Sequence, residues 1–485
     1  MSKKTQSYTN RKHRKYIPER MPGNVAVKNK GGWLPGANGR AAKVEALLRG
    51  RKEETKEIAG NMAGYKDSGV EEVNFIPKDW NTLRMKDAFN ISKEIIGDKW
   101  TEAALLSLTT NGVKSITADE QVGKRPKTFA TYQRVTKNDI VMCLFDLDAS
   151  AVFSGLSGYD GMISPAYKIL KTKEQVLPEF ANYYFQYIFE GRKYKKYAKS
   201  IRYTLSGEEF LRLLIVLPPL HEQQRIADFL DTKCGILDRT IDAVSRQIED
   251  LEKYKRALIT KTVTKGICKK GEPERAMKDS GVEWIGEVPE EWSVSKVKYN
   301  FSTFKKIPGK ESEKYERLSL TMNGVKHREK WTAEGLQPKD FMSYQLLRKG
   351  DLVFRLIDLQ NPSKSRRVAL SHDTGLISPA YTILHADNNK MLPEYAEMFF
   401  LMMSYLDVFN ALGSCGVRSS INNAELMKIS VPVPPLAEQQ QIADYLDEKC
   451  KNIDNRVQKR RQQLEWLKEY KKSLIFDYVT GKKRV

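Results

Sequence analysis

The sequence predicts an α+β protein made by tandem duplication, with two similar globular domains, each followed by one long helix, and the two helices paired. Three observations carry this reading. Residues 217–231, LPPLHEQQRIADFLD, return at 433–447 as VPPLAEQQQIADYLD, identical at eleven of fifteen positions. A match of that length inside one chain marks an internal repeat. Short motifs ahead of it recur at an offset that drifts only from 212 to 216 residues. Behind each copy, apolar residues recur in alternating steps of four and three, the spacing of a single helical stripe.

The chain of 485 residues carries a formal net charge of +21, which favours a polyanionic partner, nucleic acid first. Residues 1–64 form a basic N-terminal extension outside the duplication. Its first sixty residues hold fifteen Lys and Arg against five Glu, a net +10. Gly31, Gly32, Pro35, Gly36 and Gly39 argue against a buried core there, residues 44–59 suit a charged helix, and a mobile arm that touches phosphate is expected.

The first globular domain spans residues 65–216 and the second 277–432. Both open on KDSGV, at 66–70 and 278–282, with Trp80 and Trp292 following at the same offset. LSLTTNGVK at 106–114 matches LSLTMNGVK at 318–326, and ISPAY at 163–167 matches 377–381. The second copy has therefore gained four residues in loops while keeping the framework. Short β-prone runs bounded by Gly, Asn and Pro, such as 104–108 and 352–357, predict strands. Residues 177–189 and 392–409 are long and apolar enough for core helices. Their aromatic residues (Tyr183, Tyr184, Phe185, Tyr187, Phe399, Phe400 and Tyr405) accordingly read as core and not as platforms for bases.

Each domain ends in a β-prone run, 214–216 or 429–431, closed by a proline pair, and Pro219 and Pro435 suit the first turn of a helix. A central long helix and linker fill 217–276, and a distal long helix fills 433–485. From His221 to about Thr262 a helix is roughly 60 Å long. Its stripe is Leu237, Ile241, Val244, Ile248, Leu251, Lys255 and Leu258. Ile453, Val457, Arg460, Leu464, Leu467, Lys471 and Leu474 repeat it in the same register. A single stripe of that length needs a partner. Pairing the two helices into a rigid spacer is preferred over laying each on its own globular half. Lys255 and Lys471 interrupt both stripes at one site and help to set register.

Catalytic signatures are missing. There is no GxxxxGK[ST] loop, so ATP-driven translocation is not encoded. The proline pairs lack the preceding polar residue and following aromatic of a DNA amino-methyltransferase tetrad. Asp146 and Asp148 resemble a nuclease metal pair, but the second copy has Asp358 and Gln360, and a two-metal site needs both carboxylates. Turn aspartates are the better reading. His13, His221, His327, His372 and His385 have no ligand or triad spacing. Cys143, Cys234, Cys268, Cys415 and Cys450 form no CxxC, which argues for a reducing cytoplasm without disulfides or zinc. No run reaches the ~18 apolar residues of a membrane span, and no metal or cofactor is expected on this chain.

What remains is binding chemistry. Arg202 aligns with Arg418, and small hydroxyl residues follow, Ser419 and Ser420 in the second copy; an arginine there suits a phosphate or a guanine edge. Arg192, Lys193, Lys195, Lys196 and Lys199 precede Arg202. The second copy has Leu412, Gly413 and Ser414 in that place, with Arg366 and Arg367 in an earlier loop. Asn111 with Lys114, and Asn323 with Lys326, Arg328 and Lys330, complete the candidate DNA-binding set.

The KDSGV opening with its PxxW sequel, the PPLxEQQxIADxLD junctions and the long helices resemble the DNA specificity subunit of type I restriction-modification enzymes, from about residue 65 to the end. Residues 1–60 depart from that pattern, whose chains tend to start near the KDSG element. The resemblance implies two target-recognition domains, each reading one half of a bipartite gapped site in double-stranded DNA. They are held apart by an antiparallel, coiled-coil helix pair of pseudo-two-fold symmetry. It implies no catalysis by this chain. Two methyltransferase subunits dock on the helix pair and translocating endonuclease subunits join them, in the cytoplasm and away from membranes. S-adenosylmethionine, ATP and Mg belong to those partners. Two other readings compete: a self-contained nuclease or methyltransferase, which needs a metal or methyl-donor site, and a structural adaptor whose charge is incidental. The variable loops of the two copies differ, so different half-site sequences are expected.

Overall fold

The computed structural model describes residues 64–110, 112–117, 119–120, 126–198, 203–267, 271, 275–329, 341–360, 366–413 and 419–485. The basic arm and the expected helix at 44–59 lie outside the described residues. Contacts divide the chain into Met1–Asp67 and Ser68–Val485, and the second unit holds both copies of the repeat.

Each globular domain is built on a four-stranded antiparallel sheet of the same order. In the first, Phe89–Ser92, Lys168–Thr172, Ile140–Met142 and Ser154–Leu156 lie side by side. In the second, Phe301–Ser302, Thr382–Ala386, Leu352–Phe354 and Val368–Leu370 do so. The register repeats as well: Val141 lies opposite Gly155 and Ile169, and Val353 opposite Ala369 and Ile383. A hairpin, Leu106–Thr109 with Gly112–Ser115 or Arg317–Thr321 with Gly324–Arg328, stands next to a second strand pair, Gln133–Val135 with Gly161–Ile163 or Gln345–Leu347 with Gly375–Ile377. In the second domain these four join through a parallel step at Arg317 and Leu376; in the first the step is a single bridge, Leu105 to Met162. The backbones meet closely there. A Cβ on Gly161 would lie 2.4 Å from the Ala104 carbonyl oxygen, and one on Gly375 would lie 2.6 Å from that of Glu316, so glycine precedes ISPAY in both copies for a steric reason.

The core helices are Pro178–Phe189 and Pro393–Tyr405, each with proline in its first turn. The second is shorter than the expected 392–409. The chain breaks at Asp407, which adopts a left-handed φ of 56°, and restarts as Val408–Leu412. Tyr183, Tyr184, Phe185, Tyr187, Phe399 and Phe400 are buried core residues, and Tyr405 is half-buried. The last strand of each domain returns to its first: Leu214–Leu217 pairs with Asn81–Arg84, and Ser430–Val433 with Ser293–Lys296.

The long helices run over Leu220–Lys265, 46 residues, and Leu436–Val479, 44 residues. At ~1.5 Å per residue they are about 69 and 66 Å long, and they lie antiparallel. Lys255 Nζ donates to both carboxylate oxygens of Asp454 at 2.7 and 2.6 Å, Lys471 Nζ to those of Asp238 at 2.6 and 2.8 Å, and Arg461 pairs with Glu252 at 2.6 Å. Lys255 and Lys471 correspond in the repeat, and so do Asp238 and Asp454. The same ion pair is thus made twice, about a pseudo-two-fold axis. Between them Val244, Ile248, Ile453, Val457 and Leu467 are buried, flanked by half-buried Leu237, Ile241, Leu251, Leu258 and Leu464. Leu474 packs against the core of the first domain instead, and Arg460 is exposed, donating to Gln463 of its own helix.

The helices extend past their shared stripe because their far ends serve as core. The first domain is closed by Ile226, Leu230 and Cys234 of the central helix together with Ile475 and Val479 of the distal one. The second is closed by Ile442, Leu446 and Cys450 of the distal helix with Ile259 and Val263 of the central one. Each helix is anchored in both domains.

Candidate nucleic-acid interface

The most repeated motif is structural. Trp80 is fully buried and donates its indole N–H to Glu222 Oε2 at 3.1 Å; Trp292 does the same to Glu438 Oε2 at 2.8 Å. Gln223 accepts the Leu177 amide N–H at 2.8 Å and donates to the carbonyls of Gln175 and Pro218. Gln439 repeats this with Leu392, Lys390 and Pro434. EQQ therefore bolts the start of each long helix to the start of the domain's core helix, satisfying buried backbone groups that would otherwise be costly. Likewise Gln133 donates to the carbonyls of Ser164 and Tyr167, and Gln345 to those of Ser378 and Tyr381, so the ISPAY turn is held from behind in both copies.

Three segments meet at one end of each domain: the hairpin, the loop after the strand Ile140–Met142 or Leu352–Phe354, and the stretch leading to the last strand. The Leu147 amide donates to the Tyr203 carbonyl and the Leu205 amide to that of Leu144; Leu359 donates to Ser419 and Ile421 to Leu356. In the second domain the Arg366 amide also reaches the Thr321 carbonyl. At the same point of the two strand-following loops, Asp146 and Asp358 adopt left-handed φ values of 50° and 56°. Asp148 lies 3.8 Å from Lys195, and Asp358 lies 3.9 Å from Arg355. Among the described residues, no group of three or more His, Cys, Asp and Glu could hold a metal ion.

The hairpin tip explains part of NGVK. Gly112 and Gly324 have φ of 87° and 85°, a tight-turn conformation that glycine takes without strain. Thr109 and Thr321 hydroxyls donate to their carbonyls at 2.9 Å, and the Asn323 amide donates to Thr321 Oγ1. Lys114 and Lys326 project exposed from the outer strand, opposite Ser107 and Ser319. Arg328 is half-buried and lies directly opposite Arg317.

Other candidate cations turn inward. The Arg192 guanidinium donates to the carbonyls of Leu147 and Ser150 at 3.2 and 2.6 Å and lies 4.3 Å over the Phe189 ring. Arg367 donates to those of Ile357, Asp358 and Leu359. Leu147 and Leu359 are equivalent in the repeat, so two arginines from unrelated positions hold the same loop. Arg366 donates to the Met322 carbonyl and lies 3.8 Å from half-buried Glu397, whose carboxyl pKa is raised by desolvation. Lys196 pairs with Glu71 and Glu72, Lys193 donates to the Glu190 carbonyl, and Lys195 lies 4.0 Å over the Tyr203 ring. Ser419 is buried and Ser420 half-buried. Arg202, Arg418, Asn111, Lys199 and Lys330 lie outside the described residues. The second copy also carries Arg317 and Arg355, where the first has Leu105 and Cys143.

A family profile described as the type I restriction modification DNA specificity domain matches residues 77–253 and 380–465. The chain is 25% identical over 454 residues to the type I restriction enzyme MjaVIII specificity subunit of Methanocaldococcus jannaschii, covering 87% of this chain and 98% of that protein. It is 25% identical over 448 residues to the putative type I restriction enzyme MjaX specificity subunit of the same organism, again over 87% and 98%. A solved chain from work on assembly and conformational transition of the type I restriction-modification system superposes with a TM-score of 0.57. That match covers 84% of this chain and 99% of that one at 13% identity, a likeness of fold. The matched profile takes in more than half of the sequence, with both EQQ junctions and most of both long helices, and the chain belongs to the family of type I restriction-modification DNA specificity proteins, non-catalytic subunits that recognise DNA sequence.

Proposed function

We propose that the two domains read the two halves of one bipartite DNA site, with the helix pair as the spacer between them. The observation that carries this is the ion pair made twice, Lys255 with Asp454 and Lys471 with Asp238. It relates two like domains by a pseudo-two-fold axis, and a protein of that symmetry presents like surfaces to one face of a duplex. The helix pair is also the docking surface for two methyltransferase subunits, which endonuclease subunits join in the cytoplasm. S-adenosylmethionine, ATP and Mg act in those partners. The net charge supports a phosphate-contacting mode, in which affinity falls steeply with salt above a sequence-specific remainder.

Mapping genomic methylation in cells that carry this chain with its methyltransferase, against the methyltransferase alone, tests the proposal. The expected result is a gapped two-part motif that appears only with this chain and changes in one half when residues 81–216 are exchanged. An active methyltransferase with no such motif would sink the proposal and favour an adaptor.

A further inference from the structure

One set of side chains recurs without packing or pairing into the fold. Three exposed cations stand at equivalent places in the two copies: Arg84, Lys86 and Arg212 in the first domain, Lys296, Lys298 and Lys428 in the second. The backbone brings each set together. Leu214 lies opposite Arg84 and the Met85 amide donates to the Leu213 carbonyl at 2.8 Å; Ser430 lies opposite Lys296 and the Val297 amide donates to the Ile429 carbonyl at 2.8 Å. Arg212 and Lys428 are thereby set beside the short turns Met85–Ala88 and Val297–Asn300. Among the described residues, no hydrogen bond or ion pair engages any of the six charged groups, and Lys298 lies 4.8 Å over the ring of its neighbour Tyr299. Lysine stands for arginine at two of the three places, so the demand is for charge and not for the planar fork of a guanidinium. A fourth cation reaches each set from a different position. Lys173 Nζ donates to the Lys86 carbonyl at 2.8 Å and Lys390 Nζ to the Tyr299 carbonyl at 3.4 Å.

These patches lie away from the loops of the candidate DNA interface. In the first domain the loop after Ile140–Met142 leaves at the Lys168 end of the strand Lys168–Thr172. The turn Met85–Ala88 sits at the other end, where Thr172 is opposite Phe89 and the Lys173 amide donates to the Ala88 carbonyl. In the second domain the loop leaves beside Thr382, and the turn sits where Ala386 is opposite Phe301 and the Asp387 amide donates to the Asn300 carbonyl. Four steps of ~3.3 Å separate the two ends by about 13 Å. Apolar surface accompanies the charge. The leucines after the proline pairs, Leu220 and Leu436, are 50% and 39% exposed. In the second domain a groove of about 450 Å³ is lined by Leu436 and Pro435, by Ser295 and by Asn300 and Lys390, so leucine and cation share one surface.

We propose that each patch, with its leucine, docks an acidic surface of one methyltransferase subunit, one per domain. The inference rests on the reading above that two methyltransferase subunits bind, and it adds a site beyond the helix pair. Two copies of one partner require the same surface twice, and this surface recurs, whereas loops that read different half-sites have to differ. A DNA phosphate needs neither the exposed leucine nor a place at the far end of the sheet from the loops. Cations that the fold leaves unpaired steer an acidic partner, and reversing their sign sets like charges against each other.

The test is native mass spectrometry of the complex formed by the full-length chain and its methyltransferase, diluted at several salt concentrations. The wild type is expected to hold two methyltransferase subunits. Lys296→Glu, Lys298→Glu and Lys428→Glu together should leave one subunit held as in the wild type and weaken the other about 10-fold or more at low salt. Arg84→Glu, Lys86→Glu and Arg212→Glu should do the same at the first domain, and all six changes should weaken both. The difference should narrow at high salt, as a contact between exposed charges requires. Where a reversal lowers the thermal midpoint, the corresponding glutamine variants decide, with a smaller loss of the same single subunit expected. Both subunits retained as in the wild type, both lost from a single triplet, or DNA affinity lost while both remain bound would each overturn the inference. A wild-type complex with fewer than two methyltransferase subunits would instead overturn the docking reading on which it rests.

Discussion

The junctions of the two domains use the same three residue types but are completed by different parts of the chain. In the second domain the Trp292 and Glu438 pair is finished by Arg275 of the inter-repeat linker, whose guanidinium meets both carboxylate oxygens at 2.5 and 2.9 Å. In the first, Trp80 and Glu222 are finished by the C-terminal tail. Arg484 Nε lies 3.7 Å from Glu222, Lys482 donates to the Phe75 carbonyl at 2.8 Å, and Gly481 abuts Pro77 and Trp80. The tail beyond the distal helix thus does for the first domain what the linker beyond the central helix does for the second. The folding unit is not the sequence repeat: each domain borrows the end of the other copy's helix.

Breaking the comparison begins with the tryptophans. Trp80→Ala and Trp292→Ala should each cost about 3–5 kcal/mol, read from denaturant midpoints, and a gap of more than about 2 kcal/mol between them would show that the domains are not equivalent units. Gln223→Ala and Gln439→Ala each leave three backbone groups, one buried and two part-buried, short of a partner, for a total of about 2–3 kcal/mol in each variant. Equal losses are expected, because their hydrogen bonds match. The glutamates should sharpen the contrast: Glu438→Gln, which gives up the two-pronged contact with Arg275, should cost about 2 kcal/mol and Glu222→Gln about 1 kcal/mol. The opposite order in thermal unfolding would contradict the assigned geometry. Smallest is the coupling across the helix pair. Double-mutant cycles on Lys255 with Asp454 and on Lys471 with Asp238 should give about 0.5–1 kcal/mol each, and the two values should agree if the axis is real.

Much of the architecture was legible because duplication doubles every signal. Trp80 and Trp292, the EQQ junctions and the ISPAY turns stood out by recurrence, and the structure gives each a packing or hydrogen-bonding reason. That same recurrence blurred the candidate site. Gly324 shapes the hairpin turn that carries Asn323, and the loop-holding Arg192 and Arg367 share a task without sharing a position. Recurrence finds what the two copies need to fold. The loops, where the two copies differ, recur in no such pattern.

The sequence by itself determined the two-copy framework, the two helical stripes and the lack of a catalytic signature, because periodicity and motif spacing are local properties of the chain. Periodicity alone left the direction of the helices open, although the family resemblance implied an antiparallel pair, and only the tertiary structure decided which helix end completes which core and which arginines face loop carbonyls. A stripe spaced by four and three serves a parallel or an antiparallel partner equally well. The choice between them fell to contacts 199 to 233 residues apart, such as Lys255 with Asp454 and Lys471 with Asp238, which no local pattern encodes.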